Sequence, residues 1–401
     1  MAKRKIQKPT RFERMYKVWD YLRKNTDRRH PTSIAKMRKD ENINAYIGDK
    51  ETINRLLKDM ANIMNLEDGG SDYKPEAEWR LYFDDFKKFY GDKERYERDD
   101  SDEDDSYIAN VMRIKNLYYN RTFSEKEVDS IIEGIMATRT LDSKSAQELV
   151  RKVEDNMTTA FYKRTPRHIC KVQEPELADR ELLKDNLAII QKAIDDNVRI
   201  QFRFNGYSYE KKLEPVRAEM DELSPYYIVA SGGKYYLLAA KEYEGYKPNM
   251  SIWRIDLMTS IEIPGRNDRL HIKGIPRIPK KNVSNLPEKW SEDFQLKHLN
   301  MSFDKPVPVT LRIKSEKCED NPKKRVRPGY TFLHDWFGDS FTYIRTEKEP
   351  PYDDIVRVEC SPYGMAYWAL QYSELVEVLE PESLREDIKI KIKALNEKYS
   401  L

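Results

Sequence analysis

The 401-residue sequence predicts an α+β protein built from several domains. Three observations support this class: apolar residues at helical spacing near the N-terminus, three strand-like runs within residues 197–263, and alternating strand-like and helical segments towards the C-terminus. One hydrophobic core rarely holds a chain of this length, so two to four domains are expected. The strand-like runs are rich in tyrosine, tryptophan and arginine, which suit a surface that stacks on a planar or anionic partner.

Bulk properties indicate a globular protein with a strongly solvated surface. Hydrophobic residues make up 39% of the chain and charged residues 35%. No apolar run approaches the roughly 20 residues that cross a bilayer, and the basic N-terminus lacks the apolar segment of a secretory signal. We therefore expect a cytoplasmic protein that has no membrane partner.

Neither metal chemistry nor catalysis has a signature in the sequence. Cys170, Cys318 and Cys360 lie far apart and have no nearby Cys or His at metal-ligand spacing, so reduced thiols are expected. The Walker loop and the GxGxxG and GxSxG motifs are absent from the sequence. We predict no catalytic residue, no metal site and no cofactor, and we do not expect an enzyme.

Charge is distributed unevenly along a chain whose formal net charge is only +2. Lysine and arginine are concentrated near the N-terminus, whereas an acidic run extends from Asp92 to Asp105. A basic end is typical of proteins that bind a phosphate backbone. The acidic run is expected to be a solvated linker.

Residues 1–80 have the pattern of a helix-turn-helix. Apolar residues form one stripe between Arg11 and Asn25, Pro31 suits the first turn of a short second helix, and Asp49 can cap a third helix that ends near Asn65. A loop is predicted at 42–48. The inward face of the third helix is expected to consist of Ile53, Leu56, Leu57, Met60, Ile63 and Met64.

The opposite face of the third helix carries the residues that are expected to contact DNA. A helix in the major groove must offer polar and basic side chains to base edges and phosphates. The alternative is a small helical bundle whose basic face is only solvated, but the positive charge across all three helices favours DNA binding. The candidates are Lys50, Thr52, Asn54, Arg55 and Lys58.

Residues 81–106 are predicted to form a charged linker and residues 107–196 a helical connector. Ser124 and Glu127 have the spacing of a capping box, Ser143 begins a second helix, and a third extends over about 179–197. These helices are expected to transmit position between domains or to dimerise, and ordinary packing helices are the alternative.

The strand-like runs also contain a recognisable order of residues. A Pro-Tyr-Tyr strand precedes Lys234-Tyr235-Tyr236-Leu237, and Trp253-Arg254-Ile255-Asp256 follows. This order resembles a WYL domain over residues 197–270. Lys234-Tyr235-Tyr236-Leu237 stands where the family has Trp-Tyr-Leu, and Trp253-Arg254-Ile255-Asp256 stands where it has aromatic-Arg-x-Asp. The chain departs from the family pattern at Tyr235, which replaces Trp, and at Leu257, which stands where the family often has Arg.

Two further segments are similar to parts of the same family. Thr52-Ile53-Asn54-Arg55 resembles the recognition helix of winged-helix regulators of the DeoR-like and WYL-associated type, and 66–79 could hold the wing. Residues 300–401 resemble the C-terminal extension that follows WYL domains. The resemblance implies a winged helix-turn-helix, a helical linker region, an Sm-like or SH3-like β-barrel WYL domain and a C-terminal α/β extension domain.

The resemblance also implies that the barrel binds a regulatory ligand, either a small molecule, a nucleotide or a single-stranded nucleic acid. Arginines could pair bidentately with phosphate and tyrosines could stack on bases. Neighbouring residues of a strand point to opposite faces, so only one of Tyr235 and Tyr236 can line the site, and the choice stays open. The candidates are Arg203, Tyr207, Tyr226, Tyr235, Tyr236, Arg254 and Asp256, the last as a partner that orients Arg254.

These features together predict a ligand-responsive transcriptional regulator that binds double-stranded DNA as a homodimer. Two alternatives stay open. One is an accessory subunit of a defence or repair system that binds nucleic acid without acting at promoters. The other is a metal-dependent enzyme acting on nucleic acid, with Asp353 and Asp354 as the clustered carboxylates.

Overall fold

The computed structural model describes residues 8–67, 74–84, 114–138, 141–164, 180–314, 317–318, 321–325 and 329–399. They form helices and antiparallel sheets, which confirms the α+β class, and the chain divides into two units, Met1–Pro175 and Glu176–Leu401. In these ranges, no helix has the length and apolar character needed to span a membrane. The predicted finer boundaries stay predictions. The acidic run, Gly69-Gly70 and Cys170 lie outside the described residues.

Caps at the helix N-termini explain where the helices of the first unit begin. Thr10 and Glu13 form a capping box, in which the Glu13 carboxylate accepts the backbone N–H of Thr10 at 2.7 Å. Asp49 accepts the N–H of Thr52 at 2.7 Å and caps the last helix of this group. The helices are α1 (Arg11–Asn25), α2 (Ile34–Lys39), α3 (Asn44–Ile47) and α4 (Lys50–Asn65).

The bounds of α1 and α4 agree with the sequence prediction, whereas three details differ. The predicted loop at 42–48 contains α3, which is anchored because Ile43 and Ile47 are buried. Ser33 rather than Pro31 marks the start of α2, since its side chain caps the helix. Ile63 is 70% exposed because it lies at the edge of the apolar stripe of α4.

A short two-stranded sheet is attached to the helices of the first unit, and its two strands lie before and after the acidic run in the sequence. β1 (Leu81–Tyr82) pairs antiparallel with β2 (Tyr118–Tyr119). The buried Asn65 amide accepts the N–H of Leu81 at 3.1 Å and donates to its carbonyl at 2.8 Å. Thr26 Oγ1 accepts the N–H of Tyr119 at 3.0 Å. Both strands are thereby fixed to the helical core.

The next two helices begin as the sequence predicts. α5 (Glu125–Ala137) has the capping box formed by Ser124 and Glu127. α6 (Ser143–Met157) is capped by Asp142, which accepts the N–H of Ser145 at 2.8 Å. The two helices pack through Val128, Ile132, Val150 and Val153.

The second unit begins with α7 (Arg180–Asp196), close to the predicted range, packed on a six-stranded sheet. The buried Asn186 of α7 donates to the carbonyl of Met258 at 2.8 Å, so the helix is fixed to the sheet by a hydrogen bond as well as by apolar contacts. The strands are β3 (Ile200–Tyr207), β4 (Leu213–Pro215), β5 (Asp221–Ser231), β6 (Lys234–Ala240), β7 (Met250–Arg254) and β8 (Met258–Glu262).

This sheet curls into a half-barrel. β3 pairs with β5 through Ile200–Phe202 and with β8 through residues from Gln201 to Phe204. The chain passes from β7 through a 3-10 turn, Ile255–Leu257, into β8, and therefore returns to β3. Gly232 and Gly233, with φ of 54° and 71°, form the two-residue turn between β5 and β6, where left-handed backbone is required.

The half-barrel is followed by a covering segment and a second antiparallel sheet. The segment includes α8 (Phe294–Lys297), and Phe294 and Met301 pack on the outer side of β5, β6 and β7 with Val229, Leu238 and Met250. The later elements are β9 (Val307–Ile313), β10 (Lys317–Cys318), β11 (Asn321–Arg325), α9 (Thr331–Phe337), β12 (Thr342–Thr346), β13 (Asp354–Cys360), α10 (Pro362–Gln371), β14 (Val376–Glu380) and α11 (Glu382–Tyr399).

In the described part of the chain, the second sheet has the order β12-β13-β9-β14. Together with α9 and α10, this is the split βαβ, ferredoxin-like arrangement. Its core surrounds the fully buried Trp368. Asp335 and Phe337 belong to α9, which ends at Gly338, where φ is 51°.

Candidate functional site

The outer face of α4 is accessible while its inner face is held by apolar packing. Ile53, Leu57 and Met60 are buried in the core of the first unit. This amphipathic arrangement fixes the helix axis and leaves the other face for contacts with a partner. Among the predicted DNA-contacting residues, the exposed ones are Lys50, Thr52 and Arg55.

The structure does not place all five predicted residues on that face. Lys58 is half-buried. Asn54 is fully buried and therefore lies on the core side of α4. Arg55 pairs with Glu51 at 2.9 Å, an exposed i,i+4 pair of the kind worth about 0.3–0.5 kcal/mol, so a phosphate can replace the carboxylate at little cost.

Cations from α1 and α2 lie beside the N-terminal end of α4, although neither is among the DNA-contacting residues predicted from the sequence. Arg14 Nη1 donates to the carbonyl of Tyr46 at 3.4 Å, and Arg38 Nη2 donates to that of Gly48 at 3.2 Å. Hydrogen bonds from Thr52, followed by the charges of Arg14 and Arg38, lower the pKa of Asp49 below its usual value. Positive charge therefore surrounds a helix N-terminus, which favours phosphate groups.

In the second unit, Arg254 is held by Asp256 at the end of β7. Arg254 Nε and Nη2 donate to the two carboxylate oxygens at 3.1 and 2.6 Å. The Asp256 side chain is only 1% exposed, whereas that of Arg254 is 31% exposed. The hydrogen bonds to Asp256 raise the pKa of Arg254 above its usual value. Arg254 is thus a fixed cation whose guanidinium still reaches solvent.

Two of the candidate tyrosines lie near this arginine. Tyr236 is the cross-strand neighbour of Arg254, and Tyr207, which is 49% exposed, lies near enough for its charge state to influence the pKa of Arg254. Tyr235 packs instead with Trp253 on the core side of the half-barrel. The register of β6 therefore brings Tyr236, and not Tyr235, to the Arg254 pair.

The remaining candidates are placed elsewhere. Tyr226 is buried, donates its hydroxyl to the carbonyl of Ile278 at 2.7 Å, and has a pKa raised by burial. Arg203 lies in β3 opposite Thr259 of β8 and is half-buried. No hydrogen bond within the described residues joins its side chain to the Arg254 pair.

A set of cation and ring contacts comes from the segment that follows β8, and none of its cations is among the residues predicted from the sequence. Arg277 lies over the ring of Tyr226 at 5.0 Å, and Lys280 lies over that of Tyr227 at 4.1 Å. Trp290 packs on Tyr227 at 5.8 Å between ring centroids. These pairs are far apart in sequence, so no local pattern could have predicted them.

Asp354, one of the two carboxylates of the enzyme alternative, belongs to a structural network. Asp354 is fully buried at the start of β13 and accepts hydrogen bonds from Tyr330 at 2.7 Å and Thr346 at 2.6 Å. In the part of the chain that the structure describes, no group of three or more His, Cys, Asp or Glu side chains could hold a metal ion.

Comparison with known proteins gives only distant structural matches. No protein-family model and no curated protein matches the chain. Proteasome accessory factor B/C (PafBC) of Arthrobacter aurescens is 17% identical over 72% of this chain and 39% of that chain, with a TM-score of 0.23. This chain therefore spans well under half the length of PafBC.

A structure described as a CRISPR Cas-related protein is 14% identical, with 87% of this chain and 86% of that chain covered and a TM-score of 0.30. At these TM-scores the two matches establish neither a shared fold nor a family.

Proposed function

We propose that the protein is a DNA-binding regulator that uses α4 as its reading helix and the half-barrel as a sensor. The observation that carries this proposal is the arrangement of α4, whose apolar face is buried in the core while Lys50, Thr52 and Arg55 are exposed. A helix fixed in this way can enter the major groove without losing its packing.

Two groups of polar and basic residues in the first unit would make different contacts with DNA. Arg55 and Thr52 lie on the exposed face of α4 and would reach base edges, where arginine contacts guanine and threonine is tolerant of the base. Arg14 and Arg38 lie beside the N-terminal end of α4 and would contact phosphates. The basic N-terminal region would add affinity that does not depend on sequence.

The sensing part of the proposal rests on the Arg254 pair. Arg254 Nη1 is not used in the hydrogen bonds to Asp256, and Tyr207 and Tyr236 lie beside the guanidinium. A fixed cation beside tyrosine rings suits a ligand with an anionic group and a planar ring, such as a nucleotide. Such a ligand can regulate DNA binding only if its affinity differs between the DNA-bound and free forms of the protein.

The reading helix is tested with variants that remove equal charge from two helices of the same unit. Selection from a random duplex pool first identifies a bound sequence. Arg55→Ala with Lys58→Ala should then weaken binding to it by roughly tenfold or more, because each lost base or phosphate contact costs about 1–3 kcal/mol. Lys144→Ala with Arg151→Ala, two exposed residues of α6, should change affinity little.

Equal losses of DNA affinity in both double variants would mean that binding depends only on general electrostatic attraction, and would contradict the assignment of α4 as the reading helix. Selection that enriches no sequence would favour the accessory-subunit alternative instead. Circular dichroism of each variant shows whether the helices are retained.

A further inference from the structure

Two arginines of the first unit have buried nitrogen atoms with neither a hydrogen-bond acceptor nor an ion-pair partner among the described residues. These atoms are Nε and Nη2 of Arg121 and Nε of Arg23. The other two nitrogens of Arg23 donate to the carbonyl of Asn156 at 3.0 Å and to Asp20 at 3.2 Å. Buried donors in folded proteins are nearly always paired, so three unpaired guanidinium nitrogens in one region point to a partner that the described residues do not supply.

Two of the nearby carboxylates, Asp27 and Glu154, already have partners. Asp27 accepts the backbone N–H groups of Arg29 and His30 at 2.8 and 2.7 Å and contacts the His30 ring at 3.0 Å. Glu154 pairs with Arg164 at 3.0 Å. Each of these acids is therefore committed to another group.

The charge of Arg121 is consequently poorly compensated. Burial lowers the pKa of Arg121 to about 10, and the neighbouring charge of Arg23 acts in the same direction. Tyr119 and Asp27 oppose this shift without cancelling it. An anion between the two guanidinium groups would relieve both the repulsion and the missing hydrogen bonds.

An open cleft of about 860 Å³ is lined on one side by Arg23, whose charge acts on Arg121. It lies between the C-terminal ends of α1 and α6, where the N–H of Ala160 donates to the carbonyl of Lys24 at 2.8 Å. Besides Arg23, its basic lining residues are Lys24, Lys163 and Arg164, and hydroxyl groups come from Thr158 and Thr159. Two carboxylates also line the cleft, Glu154, which pairs with Arg164, and the exposed Asp155. The four cations outnumber them, and together with the neutral hydroxyl donors they favour a phosphate-type anion.

We propose that Arg23 and Arg121 bind a phosphate-type oxyanion that enters through this cleft. The oxyanion accepts hydrogen bonds from Nε of Arg23 and from the Nε and Nη2 edge of Arg121, and the lysines at the cleft attract it. Its source is either a phosphate of the DNA backbone or a free phosphate-bearing molecule, since both present the same oxygens. The site is separate from the residues of α4 that are proposed to read DNA.

The first test is thermal unfolding of the full chain in inorganic phosphate, with chloride at equal ionic strength as the reference. Phosphate at about 100 times its Kd should raise the Tm of the wild type by roughly 5 °C. Arg121→Gln and Arg23→Gln should each lose this rise. Arg151→Gln, at an exposed position of α6, should keep it.

Phosphate also stabilises proteins by exclusion from their surface, so the difference between variants is the decisive measurement. An equal rise in Arg121→Gln and Arg151→Gln would overturn the proposal, as would no rise in the wild type. In chloride, the Tm of Arg121→Gln should be no lower than that of the wild type, because the substitution removes a poorly compensated charge. A lower Tm there would mean that the guanidinium has a stabilising partner within the chain, and would also overturn the proposal.

The second test distinguishes the two sources with random-sequence duplex DNA. If the oxyanion is a backbone phosphate, Arg121→Gln should reduce the slope of log K against log salt by about one, and phosphate should compete. If the source is a free molecule, the slope should not change although the phosphate response is lost. Variants of α4 leave the phosphate response intact in either case, so failure of the reader assignment is distinguishable from failure of this site.

Discussion

At the residue scale, the Arg254–Asp256 pair shows how a buried carboxylate determines the position of a candidate binding residue. The carboxylate is 1% exposed and accepts both of its contacts from a guanidinium that remains partly open to solvent. Such a pair orders the arginine before any ligand arrives, which lowers the entropic cost of binding. The same pair makes the protein sensitive to loss of the arginine, because the acid cannot turn towards water.

Substitution of Arg254 should therefore affect stability as well as ligand binding. Arg254→Met leaves Asp256 buried without its cation, and removal of one partner of a buried pair costs about 3–5 kcal/mol. We expect the low end of that range, because Arg254 is 31% exposed. Urea unfolding of Arg254→Met, of Asp256→Asn and of the double variant measures the coupling between the two residues.

Tyr207→Ala provides the matched control, because this half-exposed tyrosine is expected to contribute little to stability. A loss of stability in Arg254→Met no larger than in Tyr207→Ala would mean that the pair does not order the site. Loss of the ligand response in Arg254→Met is evidence for ligand binding at the Arg254–Asp256 pair only when this comparison has shown how much stability the variant loses.

At the element scale, the segment around α8 stabilises the outer side of the half-barrel. Phe294 and Met301 cover strands β5, β6 and β7, and the ring of His298 stacks on Phe294 at 4.1 Å. His298 Nδ1 lies 2.7 Å from the carbonyl of Ser302, so a neutral ring that carries its proton on Nδ1 donates there. The carbonyl of Lys297 also accepts the N–H of Ser361, at the end of β13.

This segment should make the second unit less stable in mild acid. Burial is the main reason why the pKa of His298 is lowered, with the Ser302 carbonyl and Asp304 opposing it and Lys297 adding to it. The folded state then binds fewer protons than the unfolded state. Stability is full above about pH 6.5 and falls as the pH decreases, by at most about 1.4 kcal/mol per pH unit.

Urea unfolding between about pH 7.5 and about pH 5 measures this slope, because the range lies on both sides of the free histidine pKa of about 6.5. His298→Gln should flatten it, although the variant also loses the ring contact with Phe294. His271→Asn, at an exposed position of the same unit, should keep the wild-type slope. Identical slopes in all three proteins would show that His298 is not the group that titrates.

Local patterns predicted most elements because local chemistry determines them. The capping residues Ser124 and Asp49 and the alternation of Ile200 and Phe202 each act within a few residues, and the structure has the corresponding helices and strand. Contacts between distant residues decided the rest. Asn54 faces the core because of what packs behind α4, and Arg277 reaches Tyr226 only after the chain has folded back.

At the scale of the whole molecule, α11 is the element whose apolar side chains are most clearly left uncovered by the other described residues. Beyond Lys389 its side chains are largely exposed, and Ile390 and Tyr399 are 66% and 70% exposed. A short stretch of helix is marginally stable in water unless its apolar side is packed. The first half of α11 has a net negative charge and the second half a net positive charge: Glu382, Glu386 and Asp387 against Arg385 and Lys389, followed by Lys391, Lys393 and Lys398 against Glu397.

This charge order is self-complementary when two copies of α11 pack antiparallel, so we expect the predicted homodimer to form through this helix. An isologous contact of this kind matches each acidic half with a basic half and covers the apolar side chains of both copies. Light scattering during gel filtration should give a dimer for the wild type and a monomer for Ile390→Glu with Leu395→Glu.

The matched control is Leu270→Glu with Ile272→Glu, which adds the same charge at exposed apolar residues outside α11 and should leave the dimer intact. A regulator that reads two half-sites needs two reading helices at a fixed spacing. The monomeric variant should therefore bind a two-half-site operator at least tenfold more weakly, while its affinity for a single half-site stays the same. A wild type that is monomeric at protein concentrations of about tens of micromolar would exclude α11 as the interface. A double variant that still dimerises would also exclude it, because an apolar contact should weaken detectably when a charge is buried in it.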